Sequence, residues 1–141
     1  MRNRYCINLI WFLLMAIILT TGGCAESVEI TQIFKDVTVQ EASELIQQNE
    51  GNPDFQIIDV RTPEEFSDGH IENAILIDFY SEDFRDEIAQ LDREKTYFLY
   101  CRSGNRSGQA IDILSELGFQ KVYHLSAGIR EWIEQGFPIV K

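Results

Sequence analysis

T-Y-F-L-Y-C-R-S-G-N-R-S, residues 96–107, joins a strand pattern to a helix pattern through a glycine-containing loop. Tyr97, Phe98, Leu99 and Tyr100 form a short, unbroken apolar and aromatic run, the pattern of a strand buried on both faces. Beyond the loop, Ala110, Ile111, Ile113, Leu114 and Leu117 recur at the spacing of one helix face, so a helix is expected over 107–117. Gly104 and Asn105 between them tolerate positive φ, as a tight connection requires. Cys101 therefore ends a strand and faces the amides that lead into a helix N-terminus. Free amides and the helix dipole favour negative charge there, and Arg102 and Arg106 add formal positive charge. All three effects lower a thiol pKa and stabilise an anion on the sulfur.

The same alternation runs through the rest of the chain. Ile33-Phe34 reads as a first short strand. Thr38 and Glu41 stand at capping-box spacing before a helix carrying Val39, Ala42, Leu45 and Ile46. Asn52-Pro53-Asp54 is a turn, and Phe55 to Val60 a second strand. Thr62-Pro63 opens a short helix with Pro63 at its first position, broken at Asp68-Gly69-His70. Ala74 to Ile77 is a third strand and Ser81 to Leu91 a helix with Phe84, Ile88 and Leu91 on one side. The helix after Cys101 ends at Gly118. Lys121 to Leu125 is a fifth strand, and Ser126 to Gln135 a last helix that Gly136 and Pro138 stop. Strands alternating with helices imply an α/β fold, a mostly parallel five-stranded sheet with helices on both faces. Sites in such sheets form at the carboxyl ends of strands. Cys101 lies at one such end and Asp59-Val60-Arg61 at another.

The N-terminus speaks to location. Arg2 and Arg4 precede an apolar segment from Leu9 to Leu19 and then T-T-G-G-C, residues 20–24. These are the parts of an export signal, and the apolar segment is shorter than the roughly 20 residues a membrane span needs. A closing Cys resembles the lipobox of bacterial lipoproteins, with lipid attached at Cys24 after cleavage of residues 1–23. Thr21 stands at position −3, where Leu is common. The alternative is an uncleaved N-terminal anchor. Either way the expected location is extracytoplasmic, on a membrane surface in the periplasm or at the cell surface, with residues 24–32 as a tether to a domain over 33–141. Cys6 falls within the signal and Cys24 carries lipid, which leaves Cys101 as the one thiol of the mature domain. An unpaired thiol in an exported chain is reactive or intermolecular. The chain carries a formal net charge of −11, and removal of Arg2 and Arg4 makes the mature part more acidic still. That balance argues against nucleic acid as a partner.

Three blocks, in this order, resemble the rhodanese sulfurtransferase family. They are I-I-D-V-R-T-P-E-E-F-S-D-G-H-I-E-N-A-I (57–75), Y-C-R-S-G-N-R-S (100–107) and V-Y-H-L-S-A-G-I-R-E-W (122–132). The resemblance spans roughly residues 33–141. It departs at Ala127, where the family usually has Gly. It implies a two-step transfer: the Cys101 thiolate takes sulfane sulfur from a small anionic donor such as thiosulfate, then yields it to a thiol or to cyanide. A protein acceptor is a further possible partner, and no metal or organic cofactor is implied. Arg102, Ser103, Gly104, Asn105, Arg106 and Ser107 are the expected sulfur- and donor-binding residues. Ser107 is expected chiefly to cap the helix. Asp59 and Arg61 are expected to support the sheet end as an ion pair. His70, His124 and Trp132 read as structural.

Loop length bears on the chemistry. Arg106 is five positions after Cys101, giving C-x4-R, one residue tighter than the C-x5-R of cysteine phosphatases. Within the superfamily the six-residue loop goes with sulfur and the seven-residue loop with phosphate or arsenate. Two rival functions stay open at this point: a persulfide carrier without turnover, and a phosphatase or arsenate reductase.

Overall fold

A computed structural model describes residues 31–141. The expected signal, the lipidation site at Cys24 and most of the tether lie outside the described residues. Five strands, β1 (Ile33–Val37), β2 (Phe55–Asp59), β3 (Ala74–Leu76), β4 (Thr96–Tyr100) and β5 (Lys121–Leu125), form one sheet in the order β1-β5-β4-β2-β3. Every pairing is parallel. The helices are α1 (Val39–Gln48), α2 (Pro63–Asp68), α3 (Phe84–Ala89), α4 (Asn105–Glu116) and α5 (Gly128–Glu134).

β4 is central, and its side chains alternate between two cores, as a strand's period of two dictates. Tyr97, Leu99 and Cys101 join Phe84, Ile88, Ala110 and Leu114 on the α3/α4 side. Phe98 and Tyr100 join Val39, Ala42, Ile129 and Trp132 on the α1/α5 side. Burial on both faces is why residues 97–100 carry no polar alternation.

Local signals fix the helix starts. Thr38 and Glu41 form the capping box expected of them. Thr62 and Glu65 form a second one, with Pro63 at the first helical position.

Several boundaries differ from the sequence expectation. β1 continues to Val37, because an edge strand leaves Lys35 and Asp36 in solvent while its backbone pairs with β5. The third helix begins at Phe84 rather than Ser81, since Ser81 to Asp83 form a turn in which the Ser81 hydroxyl accepts from the Asp83 amide. α4 begins two residues early, at Asn105, directly after Gly104 at φ 87°. α5 begins at Gly128 rather than Ser126.

Candidate active site

Cys101 follows β4 and is 1% exposed. Its Sγ accepts from the Gly104 amide at 3.1 Å and from the Ser107 hydroxyl at 3.3 Å. The geometry of the loop follows from its anchoring to α5. The Ile129 amide donates to the Cys101 carbonyl (2.8 Å) and the Arg130 amide to the Arg102 carbonyl (3.2 Å). In a planar trans peptide the N–H points opposite to the C=O. Turning these carbonyls toward α5 therefore turns the amides of Arg102 and Ser103 away from α5, and the Ser103 amide is among those that act on the sulfur. Burial alone would raise the Cys101 thiol. Hydrogen bonds from the Ser107 hydroxyl and from the amides of Ser107, Ser103 and Gly104 outweigh it, and the net shift is downward.

Two glycines make this packing possible. Gly104 has φ 87°, and a Cβ there would lie 1.8 Å from the Ser126 carbonyl oxygen. Gly128 has φ 71°, and a Cβ there would lie 2.4 Å from the Arg102 carbonyl. Ala127, the departure from the usual Gly, sits at φ −80° and ψ −15°, where an alanine is unstrained.

The remaining expected residues divide into groups. Ser103 and Asn105 are exposed, and the Asn105 side chain accepts from Gln109 on the next turn. Arg106 is committed to Glu65, its two terminal nitrogens donating at 2.6 and 2.8 Å. It also lies over the Tyr80 ring. Arg102 is exposed and, among the described residues, its guanidinium has no hydrogen-bond partner. It lines an open cleft of about 310 Å³ with Arg61, Glu65, Ile129, Arg130 and Ile139. Asp59 and Arg61 form a buried ion pair (Nη2 to Oδ2 2.6 Å), and Arg61 also donates to the Gly69 carbonyl at 2.8 Å.

Ser107 is not the helix cap that the sequence suggested. Gly104 holds that position and makes no side-chain cap bond. Ser107 is fully buried, its hydroxyl lying between Cys101 Sγ, the Gly104 carbonyl and His124 Nε2. His124 does more than fill space, since its Nδ1 lies 2.8 Å from Asp36. His70 stacks on Phe66 at 3.7 Å, with Nδ1 3.0 Å from the Phe66 carbonyl, a packing role.

Glu65 was not singled out in the sequence, although its capping-box position was visible there. It accepts from Thr62 and Arg106 together, so one carboxylate fixes both α2 and the active loop. The Arg106 hydrogen bonds hold its pKa down to about 2. A carboxyl depressed below its unfolded value stabilises the fold above pH 4.5, and that contribution is lost as pH falls toward about 2. Glu65→Gln is expected to cost about 2 kcal/mol at neutral pH, with the difference from the parent shrinking steadily below pH 4.5. Urea unfolding at neutral and acidic pH checks this.

The sequence profile of the rhodanese-like domain matches residues 38–135. The chain belongs to the rhodanese-like domain family. A sulfurtransferase of Allochromatium vinosum is 34% identical over 87 residues, covering 62% of this chain and 79% of that protein. A tRNA uridine(34) hydroxylase of Photorhabdus laumondii is 35% identical over 107 residues, 69% of this chain but 30% of that longer protein. Among solved structures, a rhodanese-related protein from Thermoplasma volcanium superposes with a TM-score of 0.63 at 32% identity, covering 75% of this chain and 97% of that one. A rhodanese-like domain protein from Staphylococcus aureus gives 0.61 at 29%, covering 76% and 99%. Family and site geometry together support sulfur transfer in general by this rhodanese-like domain.

Proposed function

We propose that the rhodanese-like domain is a thiosulfate-type sulfurtransferase that works through a Cys101 persulfide. The observation that carries this reading is the buried Sγ inside a ring of donors, the Gly104 amide and Ser107 hydroxyl foremost. The Cys101 thiolate attacks the outer sulfur of thiosulfate. An S–S bond to Cys101 forms, the bond to the sulfonate sulfur breaks, and sulfite leaves with that electron pair. The outer sulfur of the persulfide is then an anion, and preorganised amides stabilise it as they do other developing anions. A second nucleophile, a thiol or cyanide, takes that sulfur and regenerates the thiolate. Arg102, exposed beside the loop, is the cation that attracts the donor, with Arg130 next to it on the cleft wall. Arg106, bound to Glu65, holds the loop in shape. Asp59 and Arg61 brace the adjoining strand end.

The test is thiocyanate production from thiosulfate and cyanide. Turnover beyond one equivalent supports the enzyme and excludes a carrier without turnover. A single equivalent sinks the enzyme reading. Hydrolysis of an aryl phosphate in place of sulfur transfer would move the assignment to a phosphatase, which the six-residue loop disfavours. Arg102→Ala is expected to raise the KM for thiosulfate about three- to tenfold with little change in kcat, the signature of lost binding to a charged donor.

For location, we propose export and attachment to a membrane through lipid on Cys24, supported by the sequence of residues 2–24. Fatty-acid labelling in bacterial cells, lost in Cys24→Ser, tests it.

A further inference from the structure

A continuous hydrogen-bonded line leads from the reactive sulfur, past β5, to the β1 edge of the sheet. Cys101 Sγ lies 3.3 Å from Ser107 Oγ, which lies 2.8 Å from His124 Nε2, and His124 Nδ1 lies 2.8 Å from Asp36 Oδ1. Strand periodicity and register assemble this line. Leu99 and Cys101, Val122 and His124, and Phe34 and Asp36 are each two residues apart, so each pair points to the α4 side. The parallel register sets Asp36 and Leu99 on either side of His124. The His124 side chain is 7% exposed while that of Asp36 is 70% exposed. The line therefore begins at a buried sulfur and ends in solvent.

We propose that Ser107, His124 and Asp36 form a proton relay that sets the charge of Cys101. This rests on Cys101 being the sulfur-carrying nucleophile. A hydroxyl has one proton to give, so the line has two self-consistent arrangements. In the first, the thiol donates to Ser107 Oγ, Ser107 donates to His124 Nε2, and His124 Nδ1–H donates to Asp36. In the second, the thiol proton has passed to Ser107 and the Ser107 proton to His124. The imidazolium then donates to Ser107 through Nε2 and to the Asp36 carboxylate through Nδ1, while Ser107 donates to the thiolate. One proton moves in each of two bonds and nothing is oxidised or lost. The second arrangement places the anion on sulfur before a donor arrives and keeps the counter-charge behind the loop, clear of the face an anionic donor must approach. Ser107 touches the reacting atom. His124 and Asp36 act through it, as positioning residues.

Among the described residues, His124 faces groups from three elements. Asp36 comes from β1, Ser107 and Gly108 from α4, and apolar Leu99 with Cys101 beyond it from β4. Arg106 lies close enough to Cys101 to feel its charge and is paired with Glu65. Lys35, next to Asp36 in sequence, is on Glu41 instead.

The sign of one substitution separates a relay from a simple field. By Coulomb attraction and repulsion alone, removing the Asp36 charge favours the thiolate and lowers the thiol midpoint. In the relay, Asp36→Asn destabilises the imidazolium and raises the midpoint. The experiment is iodoacetamide alkylation of the full-length chain from about pH 5 to about pH 10. Mass spectrometry of the Cys101 peptide keeps Cys6 and Cys24 out of the readout. Asp36 is exposed, so its substitution leaves folding intact. The relay predicts that Asp36→Asn slows alkylation about three- to tenfold below the midpoint. The alkaline plateau stays unchanged, and the effect vanishes in a Ser107→Ala background. His124→Asn is expected to shift the profile the same way. An unmoved or lowered midpoint in Asp36→Asn overturns the relay, as does an equal rise without Ser107. No sulfur donor is present, so failure of the relay leaves the persulfide reading standing, and failure with thiosulfate leaves the relay standing.

Discussion

Cys101→Ser is expected to lower kcat/KM for thiosulfate by a factor on the order of 10⁴ or more, with the fold unchanged to within about 1 kcal/mol. The two parts of that expectation have separate causes. A serine hydroxyl at this position is slightly smaller than the thiol but occupies the same site and can accept from the Gly104 amide and Ser107 hydroxyl, so the loop keeps its shape. Its oxygen is neither ionised near neutral pH nor able to carry sulfane sulfur, so both chemical steps lose their nucleophile. Steady-state thiocyanate formation together with a urea unfolding curve separates lost chemistry from lost structure. A variant that kept even a hundredth of the parent rate would remove Cys101 from the mechanism.

Gly104→Ala is expected to be the most damaging small change in the loop, costing on the order of 4 kcal/mol and most of the activity. A non-glycine residue held in the left-handed region costs about 1–2 kcal/mol by itself. The added methyl also meets backbone, the Ser126 carbonyl oxygen at 1.8 Å, and no rotamer change relieves that. Relief requires Gly104 to move. That breaks its amide bond to Cys101 Sγ and the bond from the Gly108 amide to its own carbonyl, the first turn of α4. The anion cradle and the helix start are lost together. Thermal unfolding checks the stability loss, and the pH profile of Cys101 alkylation checks that the thiol midpoint has risen.

Much of this architecture is legible along the chain because local chemistry sets it. The apolar run at 97–100, the capping residues Thr38 and Thr62, Pro63 and Gly118 each act within a few residues of where they stand. The position of Cys101 at a strand end, next to a positive-φ glycine, is legible for the same reason. Where hydrophobic periodicity falls silent, boundaries move. Asn105 and Arg106 open α4 without an apolar side chain, and Lys35 and Asp36 extend β1 while remaining in solvent.

Long-range pairings were not legible. Arg106 and Glu65 are 41 residues apart, and His124 and Asp36 are 88 apart. The first pairing turns an expected donor-binding arginine into a loop anchor. The second turns an expected packing histidine into a link between a surface carboxylate and the reactive sulfur. Strand alternation places His124 on the Cys101 side of the sheet. That Asp36 lies beside it depends on the register of an edge strand, which no local pattern in residues 33–37 specifies.

Persulfide formation at Cys101 is read from the intact mass of the full-length chain before and after thiosulfate. A gain equal to one sulfur atom is expected, located on the Cys101 peptide, absent in Cys101→Ser, and removed by cyanide with one equivalent of thiocyanate formed. An unchanged mass with Cys101 still alkylatable would contradict thiosulfate-driven persulfide chemistry at this site.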